Sequence, residues 1–342
     1  MPAETVIEEK APRAAAPRDR GKAAFGLGRR LLTLREGSVI VITLLVAAYF
    51  AATTDAFFTA DNFKTLLPYF APFAILAAGE VFLMINGEID LSIGAVYLFA
   101  PFMFHEFHVA GLPLLVALAL AMVMCLLVGL ANGLLTTFLR INSFITTLGM
   151  LLILQGAVFL WTGGAPRGAL ADNFREIGRL GIEDFPVLDQ LPWSVLIMLV
   201  LGAGAIVLMR RAWGRRLLAV GDNEQAARMS GVRVEDMRTF AFILSGLSAA
   251  VAGILLGGFA GVSAQVGQGL EFEAITAVVL GGVALGGGRG TVLAAMAGAL
   301  TLEALFTLLN LQGVSGALED TVQGIIIIAA VAFASYRLRG TR

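Results

Sequence analysis

Long apolar runs alternate with short polar segments along most of the chain. A helix needs about 20 apolar residues to cross the hydrocarbon core of a bilayer, and most of the runs reach that length. They lie at 37–58, 65–85, 91–104, 112–135, 144–161, 193–209, 240–260, 275–285, 292–309 and 322–336. The pattern predicts an all-α polytopic membrane protein with about ten transmembrane helices. The runs at 91–104 and 275–285 are too short to cross as straight helices, so we expect broken or re-entrant spans there, and a count of eight or nine stays open.

The composition agrees with a membrane solvent. The chain is 58% hydrophobic and only 14% charged, whereas roughly a quarter of the residues in a soluble globular domain are charged. Residues 1–36 are too polar to pack and predict a disordered cytoplasmic tail. We divide the rest into a transmembrane domain at 37–336, which contains a cytoplasmic loop at 210–239, and a cytoplasmic C-terminal end at 337–342.

Basic residues predict the orientation, because short cytoplasmic loops are enriched in lysine and arginine. With the N-terminus inside, all but four of the 24 basic residues lie on the cytoplasmic side. We therefore expect both termini in the cytoplasm. The four exceptions are Lys64, Arg167, Arg175 and Arg179. The cytoplasmic loop begins with a basic group suited to lipid headgroups, namely Arg210, Arg211, Arg215 and Arg216.

Two predicted spans are interrupted by glycine beside acidic residues. Residues 86–94 are Asn-Gly-Glu-Ile-Asp-Leu-Ser-Ile-Gly, and residues 269–273 are Gly-Leu-Glu-Phe-Glu. The two breaks lie five spans apart, so the matching segments would run in opposite directions. This favours an inverted repeat of spans 2–5 and 7–10, with the breaks marking a transport pathway; two chance junctions at the membrane edge are the alternative. The candidate pathway residues are Gly87, Asp90, Ser92, Glu271 and Glu273.

Other polar and small residues inside the spans have structural explanations. Glu80 and Glu303 lie within apolar runs, where hydrogen bonding inside the bundle is favoured over a proton relay. The 40 glycines include pairs spaced by four, such as Gly129/Gly133 and Gly253/Gly257. That spacing favours close helix packing within one bundle over a dedicated dimer interface.

The sequence carries no recognisable catalytic, cofactor-binding or metal-binding motif. Residues 286–291 are glycine-rich but lack the Lys-Ser/Thr ending of a phosphate-binding loop. His105 and His108 are the only histidines, and we expect them in an external loop. Cys125 is the only cysteine, so no intrachain disulfide forms. We expect a protein without a cofactor, a metal or a nucleic-acid partner, and not an enzyme.

The cytoplasmic loop contains a predicted turn and a short helix. The segment 217–232 places Asp222 or Asn223 as the helix N-cap, with Glu224 in the first turn and Gly231 at the end. Ala226, Ala227 and Met229 would offer a small apolar patch to a partner. A surface helix with no partner is the alternative.

The pattern Gly221-Asp222-Asn223-x-x-Ala226-Ala227-x-x-x-Gly231 resembles the coupling loop of permease subunits in bacterial ABC-type monosaccharide importers, the ribose/xylose/galactose class. Other motifs of that family are similar to further segments of this chain, which occur in the same order as in the family. These segments are 87–94, 271–275 followed by 278–282, 287–290 and 309–314. The resemblance covers roughly 55–335. Glu88 departs from the family's common glycine, and Val283 and Ala284 replace a common polar pair, which leaves the sugar open.

The resemblance implies a permease in the bacterial inner membrane that works as two membrane subunits, expected as a homodimer, over two ATPase subunits. An extracytoplasmic substrate-binding protein would deliver the solute. The resemblance adds Asn310 to the candidate pathway, and it implies that the loop couples to the ATPase. The implied coupling residues are Gly221, Asn223, Glu224, Ala226, Ala227 and Gly231.

Two other functions stay open from the sequence. An ion-coupled secondary transporter would use Glu80, Asp90 and Glu303 for protons, although it needs no docking loop. An ABC permease for an amino acid or a nucleoside would keep the loop and change only the substrate.

Overall fold

A computed structural model describes residues 43, 45, 48, 49, 52, 57–163, 170, 174–175, 181–185, 189–262, 267–313, 318, 321–326 and 328. The predicted tail, the C-terminal end and most of the predicted first and last spans lie outside these residues. The helices are α1 (Ala60–Ile85), α2 (Ile93–Val109), α3 (Leu114–Thr137), α4 (Ser143–Thr162), α5 (Trp193–Arg210), α6 (Ala212–Asp222), α7 (Glu224–Met229), α8 (Val234–Ala260), α9 (Leu270–Leu280) and α10 (Val292–Leu311). Two strands, β1 (Gly181–Phe185) and β2 (Asp189–Pro192), precede α5.

Eight of the predicted apolar runs correspond to α1–α5 and α8–α10. The largest differences are at polar helix ends. Helix α8 begins at Val234 and not near 240, because its first turns carry Glu235, Asp236 and Arg238, which hydropathy assigns to a loop. Helix α9 begins at Leu270 and ends at Leu280, and the predicted run at 275–285 was therefore placed about five residues too late.

The described part of the chain is mostly helical, as predicted, but it contains one element that the sequence did not predict, and one expectation about a loop was wrong. The all-α fold class misses the antiparallel hairpin of β1 and β2, in which Ile182 pairs with Leu191 and Glu183 with Gln190. A short hairpin in a polar loop gives no hydropathy signal. His105 and His108 lie in the last turns of α2 and not in a loop, because the helix continues past the apolar run to Val109.

Within the part of the chain that the structure describes, six helices are long and apolar enough to cross a bilayer: α1, α3, α4, α5, α8 and α10. Helices α1 and α8 lie at the centre of the bundle, with 89% and 67% of their most apolar windows buried. The windows of α3 and α5 are only 22% buried. Large apolar side chains such as Leu115 and Val200 face outward there, as expected for a surface in contact with lipid.

Glycines let the neighbours of α8 approach it closely. A Cβ on Gly129 would lie 2.6 Å from the Phe242 carbonyl oxygen, and one on Gly133 would lie 2.8 Å from the Thr239 Cα. A Cβ on Gly253 would collide with the Tyr97 carbonyl group of α2. The predicted role of these glycine pairs in packing within one bundle is confirmed for these contacts.

Helices α2 and α9 are short, and they meet inside the bundle. At about 1.5 Å per residue, the 11 residues of α9 extend about 17 Å, well below the hydrocarbon thickness of about 30 Å. A Cβ on Gly267 would lie 3.1 Å from the Gly94 carbonyl oxygen in the first turn of α2. Helix α8 passes Tyr97 of α2 at Gly253, seven residues before it ends, so the chain at Gly267 has returned into the bundle. Helix α9 is therefore a half-span.

Candidate translocation and coupling site

Side chains of α1 and α4 accept hydrogen bonds from the backbone of the break between α1 and α2. The Asp90 N–H donates to Glu80 Oε1 of α1 over 3.2 Å, and the Leu91 N–H donates to Thr147 Oγ1 of α4 over 3.0 Å. The Ile89 N–H donates to Ser143 Oγ over 3.4 Å. Backbone groups that leave a helix inside a membrane need such partners. The Glu80 carboxylate thus has the structural role favoured from the sequence.

Asp90 joins the break to α8. Its Oδ1 accepts hydrogen bonds from the Ser92 N–H (2.9 Å) and the Ser92 hydroxyl (2.6 Å), and its Oδ2 accepts one from the Ser245 hydroxyl (3.1 Å). Ser92 Oγ in turn accepts from Asn132 Nδ2 of α3 over 2.8 Å. All four side chains are buried. Asp90 and Ser92 therefore fix the shape of the break, and in this conformation they are not exposed to a channel.

The second break brings Glu271 to the start of α2. Glu271 lies in the first turn of α9 and is buried, and a Cβ on Gly94 would overlap its carboxylate. Within the described residues, Glu271 Oε2 has no hydrogen-bond partner. Glu273 is only half-buried. The two breaks thus meet through Gly94 and Glu271.

The remaining predicted pathway residues lie elsewhere. Gly87 is exposed and lies at the junction of α1 and α6 described below. Asn310 is exposed at the far end of α10. Gly87 and Asn310 are thus exposed, whereas Asp90, Ser92 and Glu271 are buried.

The coupling loop forms two helices and not a turn followed by one. The predicted turn is part of α6, which continues to Asp222 and includes Gly221. Helix α7 follows at once. Asn223 is its N-cap and accepts a hydrogen bond from the Ala226 N–H over 2.9 Å, as predicted. Gly231, at φ +80°, lies two residues past the end of α7.

The exposed face of α7 differs from the predicted patch. Ala227 is only 4% exposed and packs against Val220 and Val234. Met229 is 84% exposed, and Ala226 is also exposed. Ala227 therefore holds α7 onto α6 and α8, and the surface that a partner can reach centres on Met229.

Gly221 brings α6 against the end of α1 and the segment that joins α9 to α10. A Cβ at this position would collide with the Ile85 carbonyl oxygen at the end of α1 and would lie 2.6 Å from the Gly288 nitrogen. The Gly288 N–H donates to the same Ile85 carbonyl oxygen over 2.7 Å. Gly287 and Gly288 have φ values of +81° and +73°, which favour glycine. The motifs at 87–94, 221–231 and 287–290 thus meet at one junction.

A chain of alternating charges links α7, α8 and the first break. Arg238 Nε lies 2.9 Å from Glu88 Oε1, and Arg238 Nη2 lies 2.8 Å from Glu224 Oε2. Arg228 Nη2 lies 2.9 Å from Glu224 Oε1, and Arg228 Nη1 lies 2.6 Å from Glu235 Oε1. These groups line a pocket of about 490 Å³ that also includes Arg140 and Ser143. The sequence marked Glu88 as a departure from the family and gave no signal for Arg238.

The pKa of the Glu224 carboxyl is lowered from its ordinary value. Partial burial acts to raise it, but the hydrogen bonds and positive charges of Arg228 and Arg238 outweigh that effect. Glu224 is thus held ionised between two arginines. No group of three or more His, Cys, Asp or Glu suited to a metal ion occurs among the residues that the structure describes.

A helical bundle with two broken spans that meet inside it is typical of a membrane transport subunit. The family model described as "Branched-chain amino acid transport system / permease component" matches residues 62–331. The chain belongs to this family and is a permease subunit of an ABC-type importer. It is a multi-pass protein of the inner membrane, and its family implies ATPase and substrate-binding protein partners.

Curated relatives agree with this assignment. The chain is 32% identical over 301 residues to the "Autoinducer 2 import system permease protein LsrC" of Yersinia enterocolitica serotype O:8, covering 87% of this chain and 82% of the relative. The proteins of the same name from Yersinia pestis (strain Pestoides F) and Yersinia pseudotuberculosis serotype O:3 are also 32% identical, with 87% and 84% covered. No solved structure matches the chain.

Proposed function

We propose that this chain is the permease of an importer for a sugar-like solute, of the monosaccharide or autoinducer 2 kind, and that it works as a homodimer in the lipid bilayer. A separate ATPase docks on α7 and drives the transport cycle, and a substrate-binding protein delivers the solute from outside. The observation that carries the proposal is the similarity over 87% of the chain to permeases named for autoinducer 2 import.

The described interior supports an uncharged, hydroxyl-rich substrate over an amino acid. The buried polar side chains include acids, amides and hydroxyls, but no lysine, arginine or histidine is buried among the described residues. A zwitterionic amino acid carries a carboxylate. Moving this charge through a buried interior is costly unless a positively charged side chain pairs with it. Glu271 also places a carboxyl group at the N-terminus of α9, the end of a half-helix that would otherwise favour an anion.

Matching elements support the proposed inverted repeat. In the first half, the long helix α1 is followed by a break, the short helix α2 and the long helix α3. In the second half, the same order occurs in α8, a break, α9 and α10. Alternating access in such transporters moves one repeat against the other around a central site. The contact of Gly94 with Glu271 lies between the two halves.

Docking of the ATPase on α7 is tested by affinity purification from the native membrane in mild detergent, followed by mass spectrometry. Met229→Glu places a charge on the exposed face of α7, whereas Met229→Leu keeps it apolar. We expect an ATPase with the natural chain and with Met229→Leu, and at least about tenfold less with Met229→Glu, the loss typical of a central interface residue. Equal recovery with all three chains would remove α7 from the interface.

The substrate class is tested by uptake in cells that express the chain with the co-purified ATPase and its binding protein. Unlabelled autoinducer 2, ribose and leucine are each added against labelled autoinducer 2 and labelled ribose. We expect competition by the sugar-like compounds and none by leucine. Inhibition by leucine would favour an amino-acid permease, and uptake that needs no ATPase and stops with an uncoupler would favour the ion-coupled alternative.

A further inference from the structure

The charge chain reaches the first break through one residue of α8. Arg238 contacts Glu88 through Nε and Glu224 through Nη2, at 2.9 and 2.8 Å. The Nη2 contact is a hydrogen bond donated to Glu224 Oε2. The Nε contact with Glu88 Oε1 is an ion pair without hydrogen-bond geometry. The planar guanidinium group thus places one positive charge against two carboxylates on different segments. A lysine has a single nitrogen and would not fix the two together in this way.

The ion pairs of this chain of charges are less exposed to solvent near the 86–92 break. The side chains of Glu88 and Arg238 are 11% and 22% exposed, whereas Arg228 and Glu224 are 44% and 40% exposed. Enclosed ion pairs are screened less by water and salt than exposed ones. Arg238 and Glu88 therefore form the most enclosed ion pair of this chain of charges, at the end nearest the first break.

Helix α8 holds the break at two points on one face. Ser245 lies seven residues after Arg238, and two helical turns return a side chain to nearly the same face. The first point is Arg238 with Glu88, and the second is the Ser245 hydroxyl with Asp90 Oδ2 at 3.1 Å. Glu88 and Asp90 are two residues apart on the break, so a shift of α8 along its axis acts on the whole segment.

We propose that Arg238 is a positioning residue that ties α7 to the 86–92 break, with Glu88 as its partner on the pathway side. Movement of α7 is then transmitted through Glu224 and Arg238 to the break, and Gly221 provides a second, uncharged contact. This inference rests on the proposed function, because it assumes that an ATPase moves α7. Glu88, which departs from the family's glycine, adds an ion pair that a glycine at this position lacks.

The link within the chain is tested by hydrogen exchange of the full chain in lipid nanodiscs, which needs no ATPase. We expect Arg238→Gln to speed amide exchange about tenfold in both 86–92 and 223–230, because it removes the ion pair with Glu88 and the charge-assisted hydrogen bond to Glu224. Glu88→Gln should speed exchange in 86–92 alone. Arg233→Gln is the matched control, since Arg233 is exposed and pairs only locally with Asp236 over 2.9 Å. Faster exchange in 223–230 alone, or in neither segment, for Arg238→Gln would overturn the link.

The positioning role is tested by the ATP hydrolysed per solute imported in the assembled transporter. We expect Arg238→Gln to bind as much ATPase as the natural chain but to raise this ratio about tenfold, and Arg238→Lys to give an intermediate value. An unchanged ratio in an intact complex would overturn the role. If no ATPase assembles even with the natural chain, the proposed function fails, while the exchange experiment still decides whether the two segments are linked.

Discussion

At Gly221 the backbone of α6 approaches the Ile85 carbonyl oxygen and the Gly288 nitrogen so closely that no Cβ fits between them. We expect Gly221→Ala to push α6 away from the end of α1 and to lower ATP-driven uptake at least about tenfold. In enzymes, a displacement of about 1 Å caused by a distant substitution can lower the rate by about a hundredfold. The measurement is initial uptake rate at matched membrane levels of the protein.

Gly204→Ala is the control for this substitution. Gly204 also lies in a helix, but a Cβ added there meets no described atom within 4 Å, apart from its chain neighbours and the nearby backbone of its own helix. Alanine favours a helix by about 1 kcal/mol over glycine, so this variant should be as stable as the natural chain or slightly more so. Equal uptake by the two variants would show that the close approach at Gly221 has no role in transport.

Asp90 accepts three hydrogen bonds inside the bundle, from the Ser92 N–H and from the Ser92 and Ser245 hydroxyls. Asp90→Asn keeps the shape of the side chain but replaces one acceptor oxygen with an NH₂ donor. A hydroxyl or N–H that donates to Asp90 would then face another donor. We expect a loss of about 1–3 kcal/mol in the free energy of unfolding, the cost of a mispaired buried group. Thermal unfolding in detergent measures it.

Ser245→Ala is the matched variant, because it removes one donor and leaves the other two hydrogen bonds of Asp90 in place. It should cost less than Asp90→Asn. A larger loss for Ser245→Ala would mean that the packing of α8, and not the carboxylate, determines the stability of the break.

The sequence singled out Asp90 and Ser92, because an acid between glycines in an apolar run is a local signal, and their place in a transport pathway stays a prediction. The sequence did not identify Ser245 and Asn132, which bond to Asp90 and Ser92, or Thr147, which accepts from the Leu91 N–H. Each is one hydroxyl or amide in an ordinary apolar run, and the contacts join residues far apart in the chain. For Ala227 the sequence predicted part of a docking patch, whereas the side chain packs inward. A small apolar residue on a short helix is compatible with either role.

Among the elements, helix α7 has only six residues and depends on its contacts, since an isolated helix of this length is unstable in water. Glu224 is ionised between Arg228 and Arg238, and its pKa is lowered from its ordinary value of 4.5. The ion pairs therefore contribute stability above that value, and the contribution is lost as the pH falls through the lower pKa of the folded state.

We expect α7 to stay fixed at pH 5 and to become mobile as the pH falls below 4.5. A fluorophore on Gln225→Cys reports this as a fall in anisotropy, and it labels selectively because Cys125 is buried. Glu224→Gln is the control and should show higher mobility throughout without a transition in this range. A transition that persists in Glu224→Gln would assign the change to another carboxyl group.

Elements with a uniform apolar run were predicted well, and elements with polar ends or short length were not. The eight apolar runs are helices because each has enough length and hydropathy to be buried or to face lipid. The start of α9 was misplaced because Glu271 and Glu273 resemble a loop, although they lie in a first turn where acids are favourable. The hairpin of β1 and β2 is too short and polar to give a periodic signal.

In the whole molecule, the hairpin and α7 lie at opposite ends of α5. Strand β2 ends at Pro192, the 18 residues of α5 extend about 27 Å, and α6 and α7 follow directly. If α5 crosses the bilayer, the hairpin and α7 lie on opposite sides of the membrane. The distribution of basic residues predicts that α7 is in the cytoplasm and that the hairpin is outside.

A membrane-impermeant maleimide distinguishes the two orientations in intact cells. Glu183→Cys lies on the exposed hairpin and Gln225→Cys on exposed α7, while the natural chain, whose one cysteine is buried, provides the background. We expect Glu183→Cys to react in intact cells and Gln225→Cys only after the membrane is permeabilised. The reverse result would place α7 outside, where no ATP is available to a docked ATPase, and the proposed coupling through Arg238 and Gly221 would then have no source of motion.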